Sequence, residues 1–154
     1  MTNADLIYTT YIKTTPEKLW EAIINPEFAR QYWGDCAAFS DWKKGSKWKL
    51  ERVGNKTVLH VGEVLECVPP KRLVLSWASP EDLKDVSRVS FDIEPVHDLV
   101  RLVVVHGEFK AGSTMSGRVS QGWPLVFSSL KSYLETGTPI DILAIKGPCS
   151  GKAA

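Results

Sequence analysis

The chain reads as an α+β protein. A curved antiparallel β-sheet of about six to seven strands wraps around one long C-terminal α-helix, and two short helices follow the first strand. Three observations predict this. Residues 119–134 (VSQGWPLVFSSLKSYL) place Val119, Trp123, Val126, Phe127, Leu130 and Leu134 at spacings of three and four, which is one apolar stripe of a helix. Upstream lie several strand-like runs bounded by turn signals, and no other helical pattern of that length. Two proline-led helix starts, Thr15-Pro16-Glu17 and Asn25-Pro26-Glu27, come directly after the first of those runs.

Each element has its own warrant. Residues 6–13 (LIYTTYIK) are β-branched and aromatic and read as a first strand. Thr15 caps a short helix whose apolar edge is Leu19, Ala22 and Ile23, and a second short helix runs from Pro26 to about Trp33. Gly34 ends that unit, 35–40 is an irregular strand, and in 46–52 Trp48 and Leu50 alternate with Lys47, Lys49 and Glu51. After a Gly54-Asn55-Lys56 turn comes a longer strand at 57–68. It carries Val58, His60, Gly62 and Val64 on one face, and Gly62 is expected to mark a bulge. Pro69-Pro70 forces a turn into a strand bearing Leu73, Leu75 and Trp77, and polar 79–85, containing Pro80, reads as a loop. Val89, Phe91 and Ile93 form the cleanest amphipathic strand, and Val100, Leu102, Val104 and His106 share one face of the last. The Gly-rich link at 107–116 reads as a lid, with Met115 at an entrance. Pro124 implies that the long helix either starts there or kinks there. Residues 1–137 are therefore expected to form one domain, with 138–154 as a tail.

Composition excludes several classes of function. With 154 residues, 19 Lys and Arg against 18 Asp and Glu, and a net charge of +1, there is length for a real core and no basic excess for nucleic acid. No apolar run reaches the length of a membrane span, so no stable membrane insertion is expected. The N-terminus lacks the basic start and apolar block of a secretory signal. Cys36, Cys67 and Cys149 are odd in number and far apart, which argues against a disulfide framework and for a reducing, cytoplasmic location. Six tryptophans are the one oddity, suiting either a ring-rich core or an aromatic-lined cavity.

The ordered motifs carry a likeness. They are TPEKLWEA at 15–22, the turn ending in Tyr32-Trp33, Gly62-Glu63-Val64, and PPKRL at 69–73 running on to Trp77. LVVVH at 102–106, Gln121-Gly122-Trp123 and LKSYLE at 130–135 complete the set. Together they span 7–137 and resemble the helix-grip fold of the START-related domains and the birch-pollen allergen, the SRPBCC superfamily. Within it the chain most resembles the activator of heat-shock-protein-90 ATPase homologues. The resemblance implies a cavity between sheet and long helix that binds a hydrophobic or amphipathic small molecule. Its expected ligand-binding residues are Trp33, Trp48, His60, Trp77, Phe91, His106, Trp123 and Phe127. A chaperone, or another protein partner, is the alternative, and monomer and homodimer are both open.

Other chemistry is thinly supported. No HxH, HExxH or CxxC spacing marks a metal site, and no glycine motif marks a phosphate or dinucleotide cofactor, so neither is expected. Cys36 or Ser120 paired with a histidine lacks any sign of a strained elbow or oxyanion hole. A cyclase- or hydratase-type enzyme would have to recruit Glu63, Glu66, His106 or Arg52 as acid and base, although Glu63 is expected to face solvent.

Overall fold

The computed structural model describes residues 4–146; Cys149 and the remainder of the predicted tail, 147–154, lie outside the described residues. Strand β1 (Leu6–Ile12) leads into α1 (Pro16–Ile24) and α2 (Pro26–Tyr32). Six further strands follow: β2 (Cys36–Ser40), β3 (Lys47–Arg52), β4 (Thr57–Val68), β5 (Arg72–Ser79), β6 (Asp82–Val96) and β7 (Leu99–Gly107). The long helix α3 (Met115–Thr136) and a short α4 (Ile142–Lys146) complete the chain. The strands form one antiparallel sheet in the order β1-β7-β6-β5-β4-β3-β2. This is the helix-grip α+β architecture, with α3 held in the concave face of a curled half-barrel.

The two short helices form where the caps direct. Thr15 Oγ1 accepts from the Lys18 amide at 3.2 Å and Asn25 Oδ1 from the Glu27 amide at 2.9 Å, satisfying N–H groups that a helix start leaves unpaired. Asn25 also ends α1, since its own amide donates to the Glu21 carbonyl. The Tyr32 hydroxyl donates to the Ala22 carbonyl at 3.0 Å and ties the two helices together. Too short to persist alone, they are held by packing of Leu19, Ala22, Ala29 and Tyr32 in the core.

Alternation placed the faces correctly. Trp48 and Leu50 on β3, Leu73, Leu75 and Trp77 on β5, Val89, Phe91 and Ile93 on β6, and Val100 through His106 on β7 all bury their predicted sides. On α3, Val119, Trp123, Val126, Phe127 and Leu130 are buried and Leu134 is half-buried. After Gly137 the chain folds back, Ser129 Oγ bonding both the carbonyl and the amide of Ile140, and Ile142 is buried.

Four expectations are corrected. The loop read at 79–85 is only the turn Pro80-Glu81: Ser79 pairs with Asp82, and β6 overhangs the sheet as an exposed, polar hairpin arm. Polarity there reflects exposure on both faces. The bulges of β4 fall at Leu59, skipped between the pairs Leu50–His60 and Glu51–Val58, and at Leu65, with Gly62 itself paired to Trp48. Met115 is 1% exposed and already helical, so it belongs to the core and not to an entrance. Finally, the first of the two alternatives for Pro124 is overturned, since α3 does not start there. It begins nine residues earlier, with the exposed proline ring accommodated inside it.

Candidate functional site

All eight residues expected to bind a ligand meet beneath α3, in one continuous set of ring contacts. Trp77 is the hub. Its ring centroid lies 4.6 Å from that of His60, 5.0 Å from Trp48, 5.3 Å from Trp123 and 5.4 Å from His106. Trp123 then touches Trp33 at 5.8 Å, Phe91 at 6.1 Å and Phe127 at 5.1 Å. The sheet supplies the hub because β3, β4, β5 and β7 each point an aromatic or imidazole ring inward at neighbouring positions. α3 closes it because Val119, Gly122, Trp123 and Val126 fall on one helical face.

Gly62 is what lets Trp48 lie flat there. A Cβ on Gly62 would sit 1.9 Å from the Ser76 carbonyl oxygen and 2.5 Å from Trp48 Nε1. Through that gap the Trp48 indole N–H donates to the Ser76 carbonyl at 2.8 Å, and the Glu63 amide donates to Ser76 Oγ at 2.8 Å. These bonds bridge β4 and β5 where the regular ladder opens.

His106 is completely satisfied, and its partners reveal its tautomer. The Trp123 indole N–H donates to His106 Nδ1 at 3.1 Å, so Nδ1 carries a lone pair and Nε2 the proton. Nε2–H then donates to Ser87 Oγ at 2.8 Å, and that hydroxyl donates to the Trp77 carbonyl at 3.3 Å. Burial, with His60 nearby, takes the His106 pKa down to about 3. Protonation at Nδ1 would aim two N–H groups at each other.

His60 is the opposite case. It is 0% exposed, yet neither ring nitrogen has a hydrogen-bond partner. Burial lowers its pKa to about 3, and the Arg118 charge pushes the same way. The Ala78 backbone opposes these, although its contact falls short of a well-formed hydrogen bond. Trp77 Nε1 and Arg118 Nε are likewise buried and unpartnered.

A void of about 20 Å³ lies among these groups, room for about one water. Trp33, His60, Trp77 and Trp123 line it, as do Leu50, Val119, Gly122 and Val126, which sequence reasoning did not single out. Trp48, Phe91, His106 and Phe127 form the packed shell behind them. Arg118 was also missed. It precedes Gly122 by four residues and so shares its helical face, a placement that depends on α3 beginning at Met115.

A second concavity, of about 780 Å³, opens on the outer face of the sheet. Phe39, Val61, Pro80, Leu83 and Val86 wall it, with Lys47, Lys49 and Glu63 among its polar groups. The residues proposed for acid–base catalysis do not assemble. Glu63 lines this outer groove and Glu66 pairs with Arg72 at 3.1 Å, both away from His106. Among the described residues no group of three or more His, Cys, Asp or Glu could hold a metal ion, and no helix is long and apolar enough to cross a membrane.

Fold and aromatic centre together define a helix-grip domain of the SRPBCC superfamily. Residues 13–135 match the family model described as activator of Hsp90 ATPase homolog 1-like protein, and the chain belongs to that family. No curated protein matches the sequence. Among solved structures it is similar to CalU16 from Micromonospora echinospora, with a TM-score of 0.73, 20% identity, and coverage of 92% of this chain and 71% of that one. It is similar to the Aha1 dimer from Colwellia psychrerythraea, with a TM-score of 0.68, 22% identity and coverage of 88% and 98%. PFC0360w, an HSP90 activator from Plasmodium falciparum, gives 0.67, 21%, 79% and 88%. At these identities the likeness is one of fold.

Proposed function

We propose that this protein binds a hydrophobic or amphipathic small molecule between the sheet and the N-terminal half of α3. One observation carries the reading: three polar side chains, His60, Trp77 and Arg118, have buried nitrogens without partners on or beside a void under the helix. Each such group costs about 1–3 kcal/mol while unpaired. A fold selected only for packing has simpler ways to fill this space. The void is too small for a ligand as it stands, so binding requires the first turns of α3 to move. Those turns lack a side-chain cap bond from Thr114 and have Gly112 and Gly117 on either side of their start. They are held by buried Met115 and Val119 and by the Met115 amide, which donates to Ser113 Oγ at 3.0 Å.

The test is titration with fatty acids, sterols and polyphenols while tryptophan emission is recorded, alongside mass spectrometry of the natively purified protein. Saturable emission change and a co-purified small molecule are expected. The second reading is a protein-docking module acting on a chaperone such as Hsp90. It is favoured by the tight interior together with the outer groove, where Leu83 and Val86 are 64% and 44% exposed. Stimulation of Hsp90 ATPase by the chain, with no emission change across the panel, would replace the first reading by the second.

A further inference from the structure

The unpartnered nitrogens at and beside the void are not a balanced set. Trp77 contributes an N–H donor and no acceptor, and Arg118 Nε–H the same. Neutral His60 contributes one donor and one acceptor. Three donors therefore face one acceptor, and one of the donors belongs to a permanent cation. His60 and Trp77 are 0% and 2% exposed, and both line the void, so water outside the protein cannot supply what they lack. Arg118 is half-buried and does not line the void itself; it lies four residues before Gly122, which does.

Resting on the ligand-binding reading above, we infer that the ligand carries an acceptor-rich, anionic head group, a carboxylate being the best match, which Trp77, His60 and Arg118 hold while its apolar body lies against the surrounding rings. A carboxylate has two oxygens able to accept all three donors, and the guanidinium balances its charge in a site that bulk water does not reach. A cationic head group is disfavoured by Arg118 and by the shortage of acceptors among the groups that line the void, His60 and Trp77. Asp85, on β6, does not line the void; its Oδ2 accepts from Ser113 Oγ at 2.6 Å, while its Oδ1 is buried without a partner and is, among the described residues, the one further acceptor near the site.

The experiment uses the full chain and three probes of one shape: 2-naphthoate, 2-methylnaphthalene and 2-naphthylmethylammonium, compared by calorimetry and saturation-transfer NMR. The carboxylate is expected to bind about tenfold or more tighter than the hydrocarbon, and the ammonium weakest. Arg118→Gln should remove that preference, read as the ratio of carboxylate to hydrocarbon affinity. Trp77→Phe, which removes the indole N–H together with part of the ring, should reduce the ratio of carboxylate to hydrocarbon affinity in part, and serves if the arginine variant does not fold. Equal binding of the carboxylate and the hydrocarbon, or preference for the ammonium, overturns the inference while ligand binding stands. Failure of all three probes to bind overturns both.

Discussion

Gly62 shows how much one missing side chain decides. Its Cβ position is occupied by backbone, the Ser76 carbonyl, and by the Trp48 indole that bonds to that carbonyl. Neither can yield easily, because the carbonyl belongs to β5 and the indole packs against Trp77 at a tilt. Gly62→Ala is therefore expected to destabilise the fold by about 3 kcal/mol, read as a lowered urea midpoint. An unchanged midpoint would mean that the Trp48–Ser76 bond does not hold the open ladder. In the sequence, a glycine between His60 and Val64 signals only that something unusual happens there. A bulge was the ordinary expectation, whereas the cause lies on two other strands.

At the scale of the element, α3 divides into two halves of different character. From Trp123 onward it packs through Val126, Phe127 and Leu130, and it ends on a left-handed Gly137 whose amide bonds the Tyr133 carbonyl. Its first turns carry Gly117, where an added Cβ would meet nothing within 4 Å. Gly117→Ala should thus stabilise the protein by about 1 kcal/mol through helix propensity alone, measured by the same urea unfolding. If opening of these turns admits ligand, the variant should also bind more slowly in stopped-flow fluorescence. A fall in stability would show that Gly117 is needed for packing. The stripe on α3 was legible because a period of three and four survives in sequence. The start of the helix was not, since Met115 through Arg118 look like the link before them.

For the molecule as a whole, two buried neutral histidines make stability depend on pH. Both have folded pKa values near 3, and the unfolded chain titrates near 6.5. Above pH 6.5 neither state takes up protons and stability is full. Between 6.5 and 3 the unfolded chain binds protons that the fold refuses, so stability is lost as pH falls, by about 1.4 kcal/mol per pH unit for each ring. Between pH 7 and pH 5 urea unfolding should lose up to about 4 kcal/mol, and His106→Gln should flatten that slope by about half. A flat profile would require a charged, paired imidazole in the fold. The amino-acid order by itself determined an antiparallel run of about six to seven strands, their inward faces and the capped short helices, because periodicity and capping act over a few residues. The ring-lined interior was implied by the likeness the ordered motifs carry. Tertiary structure alone decided that those rings nearly fill the space, that His106 is satisfied while His60 is not, and that Arg118 belongs with them. Those outcomes depend on which atoms of distant strands and the helix arrive within hydrogen-bonding reach, and no local pattern encodes such distances.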